Sequence, residues 1–470
     1  MSFALPPPLP PDSLAGALWY AASVVARVMA GHSLAEGAVE EIPPPTRPAA
    51  QDIVYGVLRR YGAGEAQLRP FLKNPPYPAI HALLFCALYR LETWTDAPHT
   101  VVHQAVAAAE HLEGGRYKGL VNGVLRNFLR QQENPPVVEV RPETAAPEAA
   151  NDAASAPPFP PSLPLPVQKM PFDRLRANGS IIQSPPDDAA SLWHPDWWIE
   201  KLTAAYPERW QGILAAGNQP PPMSLRVNVR RGSAADYLAR LQQAGIAGTR
   251  RGTAGILLTT KPVPVSQLPG FYAGDVSVQD LGAQRAAELL HPAPGSSVLD
   301  ACAAPGGKTA HLLEGSDLTL TALDIDPQRC RRIEENLARL SLSARVRCGD
   351  ASMPRAWGKN PQVFDAILAD VPCSASGVVR RCPDIKWLRQ PQDVLKFALA
   401  QRRILERLWA ALTPGGKLLY ATCSVFLEEN QAQVEKFLRR APDARLETEE
   451  QLLPEAEHDG FYYALLRKAD

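Results

Sequence analysis

The sequence predicts a multidomain protein: an all-α helical bundle, then a small α+β subdomain, then an α/β domain built on a doubly wound, mostly parallel sheet. Three observations predict it. The chain has 470 residues, roughly three times a ~150-residue domain. Apolar residues recur at three- and four-residue spacing through its first part, without an alternating strand. After residue 296, short β-rich runs alternate with helical segments, the pattern of a parallel sheet covered by helices.

The helical part is read at residues 14–29, 49–61, 80–91, 101–112 and 117–129, each with one apolar stripe. The last of these brings Arg116, Lys118, Arg126 and Arg130 together, a basic face that suits either phosphate or solvent. Residues 135–186 are rich in Pro, Ala and Ser and poor in large apolar side chains, so they cannot bury enough surface to order themselves. Within them QKMPFDRLRANGS (168–180) differs in composition and reads as an insertion without assigned function. A Trp-rich helix at 194–206, a strand at 224–230, a helix at 234–244 and apolar runs at 255–259 and 275–279 read as a β-α-β unit. Strands follow at 297–300, 318–324, 344–348, 364–370 and 417–422. The expected domains are 1–134, a linker at 135–190, the subdomain at 191–280 and the α/β domain at 281–470.

Composition removes several classes. Hydrophobic residues make up 46% and charged residues 21%, which fits neither disorder nor a coiled coil. Lys+Arg and Asp+Glu both number 49, so any nucleic-acid surface must be local. The most apolar N-terminal run, 14–30, contains Arg27 and has no basic region before it; it reads as a core helix and not as a membrane span or signal peptide. Seven cysteines without a C-x-x-C pair indicate neither a disulfide framework nor a zinc knuckle, and reduced thiols in the cytoplasm are the expected state. The 47 prolines, about twice the usual ~5%, fall mostly in linkers.

The first strand of the α/β domain runs into ACAAPGGKT (301–309) and then a helix. A Gly-rich turn there presents helix N-terminal N–H groups to a ligand. G-x-G-x-x-G is absent, and a phosphate-binding G-x-x-x-x-G-K-T fails because Cys302 stands at its first glycine. The next strand ends at Asp324, seventeen residues past Gly307, where a carboxylate can accept from both hydroxyls of a ribose. Asp350 follows the third strand, near where an adenine would lie. Strand four ends in Asp370, Val371, Pro372, Cys373 and Ser374, and strand five in Thr422, Cys423 and Ser424. Neighbouring strands would bring two thiols and a carboxylate to one edge beside the cofactor. A thiol is mostly protonated at neutral pH, with an unperturbed pKa near ~8.5, so Lys308, Arg380 and Arg381 are candidates for supplying positive charge. Cys86, Cys330 and Cys348 are expected as small buried hydrophobes.

With DACAAPGGKT (300–309), DVPCSASGVVRRCPDIKW (370–387), YATCSV (420–425), DGFYYA (459–464) and, in the helical part, LVNGVLRNF (120–128), the chain resembles the RNA cytosine-5 methyltransferases of the Sun/Nop2 type. The resemblance covers nearly everything except the linker. It implies a NusB-like helical domain and a Rossmann-like methyltransferase domain. It also implies S-adenosylmethionine held by Cys302, Ala303, Ala304, Pro305, Gly306, Gly307, Lys308, Asp324, Asp350 and Asp370. In such enzymes a thiolate adds to cytosine C6, because C5 alone is a poor nucleophile; C5 then takes the methyl, and loss of its proton expels the thiol. The resemblance makes Cys423 the nucleophile and Cys373 the residue that assists release. Spacing does not choose between them, and analogy with the Pro-Cys pair of DNA cytosine methyltransferases would make Cys373 the attacker. Asp370 is expected at the cytosine edge around N3 and N4. The implied substrate is 16S ribosomal RNA, free or in an early assembly intermediate, at an unpaired or extruded base. The helical domain and subdomain are expected to grip it, with the protein a monomer that needs neither metal nor membrane. The alternatives are a transfer-RNA cytosine-5 methyltransferase and a non-catalytic RNA-binding or antitermination factor. Two positions depart from the family pattern: Val371, where Ala is commoner, and Gly282 in VQDLGAQ (278–284), expected to alter how the following helix starts.

Overall fold

The computed structural model describes residues 9–133, 193–353 and 363–470; the expected linker and its insertion lie outside them. The described residues fall into two compact units, one of residues up to 57 and 64–133, the other of 58–63 and 193 onward.

The first unit is all-helical: α1 (Leu14–Met29), α2 (Arg47–Arg59), α3 (Tyr61–Leu68), α4 (Pro78–Thr93), α5 (Pro98–Glu110) and α6 (Lys118–Glu133). Ser13 starts α1 by accepting from the Gly16 N–H at 3.0 Å, which satisfies one of the helix's orphan donors. Leu18, Val24 and Val25 of α1 and Leu83, Leu84 and Leu88 of α4 are fully or almost fully buried where α1 packs on α4 and α5. The helix expected at 49–61 is α2, and α3 follows it as a further helix that the sequence reading did not include. Gly62 and Gly64 weaken the helical signal of α3, and its packing overrides that weakness. The basic residues of the last helix are not a free row: Lys118 pairs with Glu110, and Arg126 and Arg130 donate to Asn122 and Asn127.

The second unit opens with α7 (Asp196–Ala205) and α8 (Trp210–Asn218). A small sheet follows, made of β1 (Ser224–Val227), β2 (Gly248–Arg251), β3 (Gly255–Leu258) and β4 (Val276–Val278), with α9 (Ala234–Gln243) after β1. The order is β2-β3-β1-β4 and every pairing is antiparallel. The expected β-α-β unit is present in split form: β1 and β2, joined through α9, both run antiparallel to β3 and so are parallel to each other with β3 between them. The sequence reading did not include β2, whose sequence GTRR is polar and unlike a strand, yet pairs along β3 at an edge. Strand alternation splits β1: Leu225 and Val227 enter the small core with Tyr237, Leu241 and Ile256, and Arg226 points to the other face.

The large sheet comprises β5 (Ser297–Ala301), β6 (Thr319–Asp324), β7 (Arg345–Cys348), β8 (Phe364–Asp370), β9 (Leu412–Thr422), β10 (Ala444–Leu452) and β11 (Phe461–Lys468). The helices with it are α10 (Leu281–Leu290), α11 (Gly307–Gly315), α12 (Pro327–Leu340), α13 (Ile385–Leu388), α14 (Pro391–Ala410) and α15 (Gln431–Leu438). The strand order is β10-β11-β9-β8-β5-β6-β7. The five strands expected from the sequence are mutually parallel, and β11 pairs antiparallel with both β9 and β10. One face packs Leu299, Ile367 and Tyr420 under Leu405, Leu408 and Phe437 of α14 and α15. The other packs Val298, Leu368 and Leu419 under Ile333 and Leu337 of α12. Strand order reverses between β5 and β8, the point where such sheets open a crevice at their carboxyl ends.

Candidate active site

The residues between β5 and α11 form a tight turn at that crevice. Gly306 caps α11 at φ 91° with no side-chain hydrogen bond to the helix, leaving its first N–H groups directed at the crevice mouth. A Cβ at position 306 would lie 3.2 Å from Ile333 Cγ2, so this close, left-handed position requires glycine. Cys302 also has a positive φ, 60°, which in a non-glycine residue marks a constrained backbone. Its thiol is kept protonated by burial and by Asp370 and Asp324. The Ala303 N–H donates to Leu323 O at 2.9 Å and the Ala304 N–H to Asp324 Oδ2 at 3.1 Å, tying the turn to the end of β6.

Asp324 is not the helix cap. That work falls to Asp326, which accepts from the Gln328 and Arg329 N–H groups at 2.7 and 3.0 Å. Asp324 is itself covered, its side chain 1% exposed with Arg329 at 3.4 Å. Gly349 N–H donates to Asp324 O at 2.9 Å, so the Asp350 turn lies beside it. A strained glycine-dependent turn, uncapped helix N–H groups and two carboxylates at successive strand ends fit a ligand with an anionic end and a ribose-bearing nucleoside. Among the described residues, no group of three His, Cys, Asp or Glu could hold a metal ion.

At the other lip, β8 and β9 pair with Asp370 opposite Ala421, which brings the two cysteine turns together. Cys373 Sγ and Cys423 Sγ are 3.4 Å apart. Lys308, in the first turn of α11, donates to Asp370 Oδ2 at 2.6 Å above the Phe461 ring, 5.7 Å from its centroid. Burial opposes the charge on Lys308, but Asp370, and beyond it Cys423, raise its proton affinity above that of an ordinary lysine. The thiols differ in surroundings. The hydrogen bond with Cys423, burial and the charge of Glu429 push Cys373 well above the ordinary thiol range, whereas Cys423 faces the Lys308 side.

Of the three cations proposed to favour a thiolate, Lys308 lies beside the cysteine turns, itself paired with Asp370. Arg380 and Arg381 are committed to Asp459, and Arg381 also reaches Asp280 at 2.7 Å. Cys86 and Cys330 are buried as expected, but Cys348 is exposed, because β7 is the edge strand. Gly282 does not disturb the start of α10: its N–H donates to the cap Asp280 Oδ1 at 2.8 Å. A Cβ there would lie 2.6 Å from the Phe461 ring, so its small size answers to β11. Val371 is buried in the sheet core without conflict.

Two residues that sequence reasoning passed over shape the same turn. Arg226 sits 1% exposed and clamps Glu314 through two hydrogen bonds of 2.8 and 2.9 Å, while its Nη1 donates to Gly307 O at 2.8 Å. A lone Arg amid the apolar SLRV was the available signal. Asp300, fully buried at the end of β5, accepts from Thr309 Oγ1 at 2.5 Å and braces α11 from below.

With this geometry in place, relatives become informative. The description "16S rRNA methyltransferase RsmB/F" matches residues 287–467, an RsmF/B-like ferredoxin-like domain matches 194–266 and the NusB family matches 20–130. The chain is 41% identical over 453 residues to a ribosomal RNA small subunit methyltransferase B of Vibrio cholerae, covering 93% of this chain and 94% of that one. It is 40% identical over 440 residues to the protein of the same name from Pasteurella multocida, covering 90% and 88%. A solved methyltransferase homolog from Pyrococcus horikoshii superposes with a TM-score of 0.51 at 29% identity, over 57% of this chain and 93% of its own. Identity of this extent, spread over the helical part, the small sheet and the large sheet alike, makes the chain a member of the 16S rRNA methyltransferase RsmB/F family.

Proposed function

We propose that the protein methylates C5 of a specific cytosine in 16S ribosomal RNA through a covalent adduct between Cys423 and C6. The observation that carries this reading is the pair of sulfur atoms 3.4 Å apart at the ends of adjacent parallel strands, beside the Lys308 and Asp370 pair. A single thiol would serve attack; two in contact suit a reaction that must also undo its own adduct.

S-adenosylmethionine, when bound, supplies an electrophilic methyl group. The turn 302–308 and the N-terminus of α11 would hold its amino-acid end, Asp324 the ribose hydroxyls, Asp350 the adenine side and Asp370 the reactive end. Arg329, half exposed over Asp324, gives way to the ribose. Asp370, fixed by Lys308, orients the base by accepting from the N4 amine and, with a proton shared between its carboxyl and N3, stabilises charge developing on the ring. Cys423 passes its proton to water beside the Lys308 cation, and its sulfur bonds to C6 as the C5–C6 π pair moves to C5. Once C5 carries the methyl, water takes the C5 proton, the C–H pair restores the double bond, and the Cys423 thiolate is expelled. Cys373, kept protonated, assists that release. Residues 1–134 and 191–280 grip the RNA, and 281–470 perform the chemistry in the cytoplasm.

The test is incubation with S-adenosylmethionine and unmodified 16S transcript, followed by bisulfite mapping. One protected cytosine is expected; no protection, with transfer RNA methylated in parallel, would overturn the reading. In the same assay Cys423→Ala abolishes both methylation and covalent capture, whereas Cys373→Ala leaves a protein–RNA adduct that survives a denaturing gel. The reverse pattern would exchange the two roles.

A further inference from the structure

Behind the cysteine turns lies a buried carboxyl that the reaction itself does not use. Glu429 ends a short 3₁₀ turn, Leu427–Glu429, after β9 and is fully buried. Its Oε1 accepts from the Ser374 N–H at 2.8 Å and from Gln401 Nε2 at 3.1 Å. Its Oε2 accepts from Ser374 Oγ at 2.5 Å and from Ser424 Oγ at 2.6 Å. Ser374 follows Cys373 and Ser424 follows Cys423. Around them Ser376 Oγ lies 2.9 Å from Ser424 Oγ and accepts from the Val425 N–H at 2.9 Å, and Gln401 Nε2 also donates to Pro372 O at 2.9 Å.

One side chain thus grips the residue next to each thiol, on two turns that are 50 residues apart in sequence. Burying a carboxyl is costly unless its acceptor sites are filled, and here four donors fill them. An apolar residue could close the same space without that cost, but it would leave the Ser374 N–H without its acceptor and the Ser374 and Ser424 hydroxyls with only each other and Ser376 Oγ, 2.9–3.1 Å away.

We propose that Glu429 is a positioning residue that sets the spacing of Cys373 and Cys423 by pinning Ser374 and Ser424. The catalytic consequence rests on the two-thiol reading above; the geometric claim does not. The role is one of shape. In Glu429→Gln the amide oxygen still receives the Ser374 N–H and Gln401, and the amide NH₂ faces hydroxyls that also accept. Burial pushes Glu429 above the ordinary carboxyl range against the pull of the hydrogen bonds from Ser374, Ser424 and Gln401.

Diamide oxidation of the full chain tests the spacing without RNA or methyl donor. The Cys373 and Cys423 thiols lose two protons and two electrons to the diamide, which becomes the hydrazine, and an S–S bond forms. Peptide mapping by mass spectrometry follows that one disulfide. Wild type and Glu429→Gln are expected to close it at similar rates. Glu429→Ala should close it about tenfold more slowly, with Ser424→Ala between, since small misplacements are costly to proximity-driven steps. Single-turnover methylation should fall by ~10²-fold in Glu429→Ala with KM for RNA unchanged. Leu408→Ala, a core change on the sheet-facing side of α14, controls for lost stability and should leave the disulfide rate alone.

An unchanged disulfide rate in Glu429→Ala and Ser424→Ala would overturn the proposal, as would a Glu429→Gln protein as slow as Glu429→Ala. Should Glu429→Ala fail to fold, Ser424→Ala and Glu429→Gln still decide. If the disulfide rates behave as expected while Cys373→Ala traps no RNA adduct, the positioning stands and the reaction reading fails.

Discussion

Asp300 shows how a single buried group writes itself into the pH dependence of the protein. Burial pushes its carboxyl up to about 7, with the Thr309 hydroxyl pulling the other way. In the unfolded chain it ionises near ~3.9. Between those values the folded state holds a proton that the unfolded state has released, so this group's contribution to stability falls as pH rises from about 4 and levels off above about 7. Asp300→Asn, which keeps an acceptor for Thr309, is expected to flatten that slope in urea melts taken across the window; an unchanged slope would refute the assignment. Residues of this kind were only half legible. Cys373, Cys423, Asp324 and Lys308 stand in motifs whose spacing announces a strand end or a helix start. Asp300 and Arg226 act through burial and partners far away in sequence, Glu314 being 88 residues from Arg226, and no local pattern encodes that distance.

Among the elements, α10 and β11 depend on each other at one point. A Cβ at Gly282 would meet the Phe461 ring at 2.6 Å, and the Tyr463 hydroxyl donates to Gly282 O at 2.8 Å. Gly282→Ser would gain roughly 0.5 kcal/mol in helix propensity but overpack the contact by about 1–3 kcal/mol, so net destabilisation is expected in urea unfolding. Adding Phe461→Leu should recover part of it, and strict additivity in that cycle would deny the contact. The parallel strands were legible because β5, β6, β8 and most of β9 are apolar runs that end at turn residues. β10 was not. Its ARLETEEQL carries too many charges to read as a strand, and only the edge position beside β11 makes such a composition suitable. α8 was missed for a related reason: the glycines in WQGILAAGN weaken a helix held by packing.

For the whole molecule, the relevant fact is two units, each with its own buried core. The methyl donor is read as contacting only residues of the second. Calorimetry should therefore show two transitions, of which a saturating donor shifts one. At a hundred times its Kd the ligand adds about 2.7 kcal/mol to the unit that binds it. A common shift of all the heat absorption would contradict this.

The placement of β11 has a consequence for biogenesis. It follows every other strand in the chain, yet it is interior, seated between β9 and β10. Until Phe461–Lys468 has been synthesised, the apolar flank of β9 is an open edge of the kind that invites wrong partners. The same late segment brings Asp459, which engages Arg380 and Arg381, and Phe461, which lies beneath Lys308. A nascent chain halted before it would carry both cysteines and the complete Gly-rich turn on an unfinished sheet. Such a chain would also lack the Asp459 carboxylate for Arg380 and Arg381 and the Phe461 ring beneath Lys308.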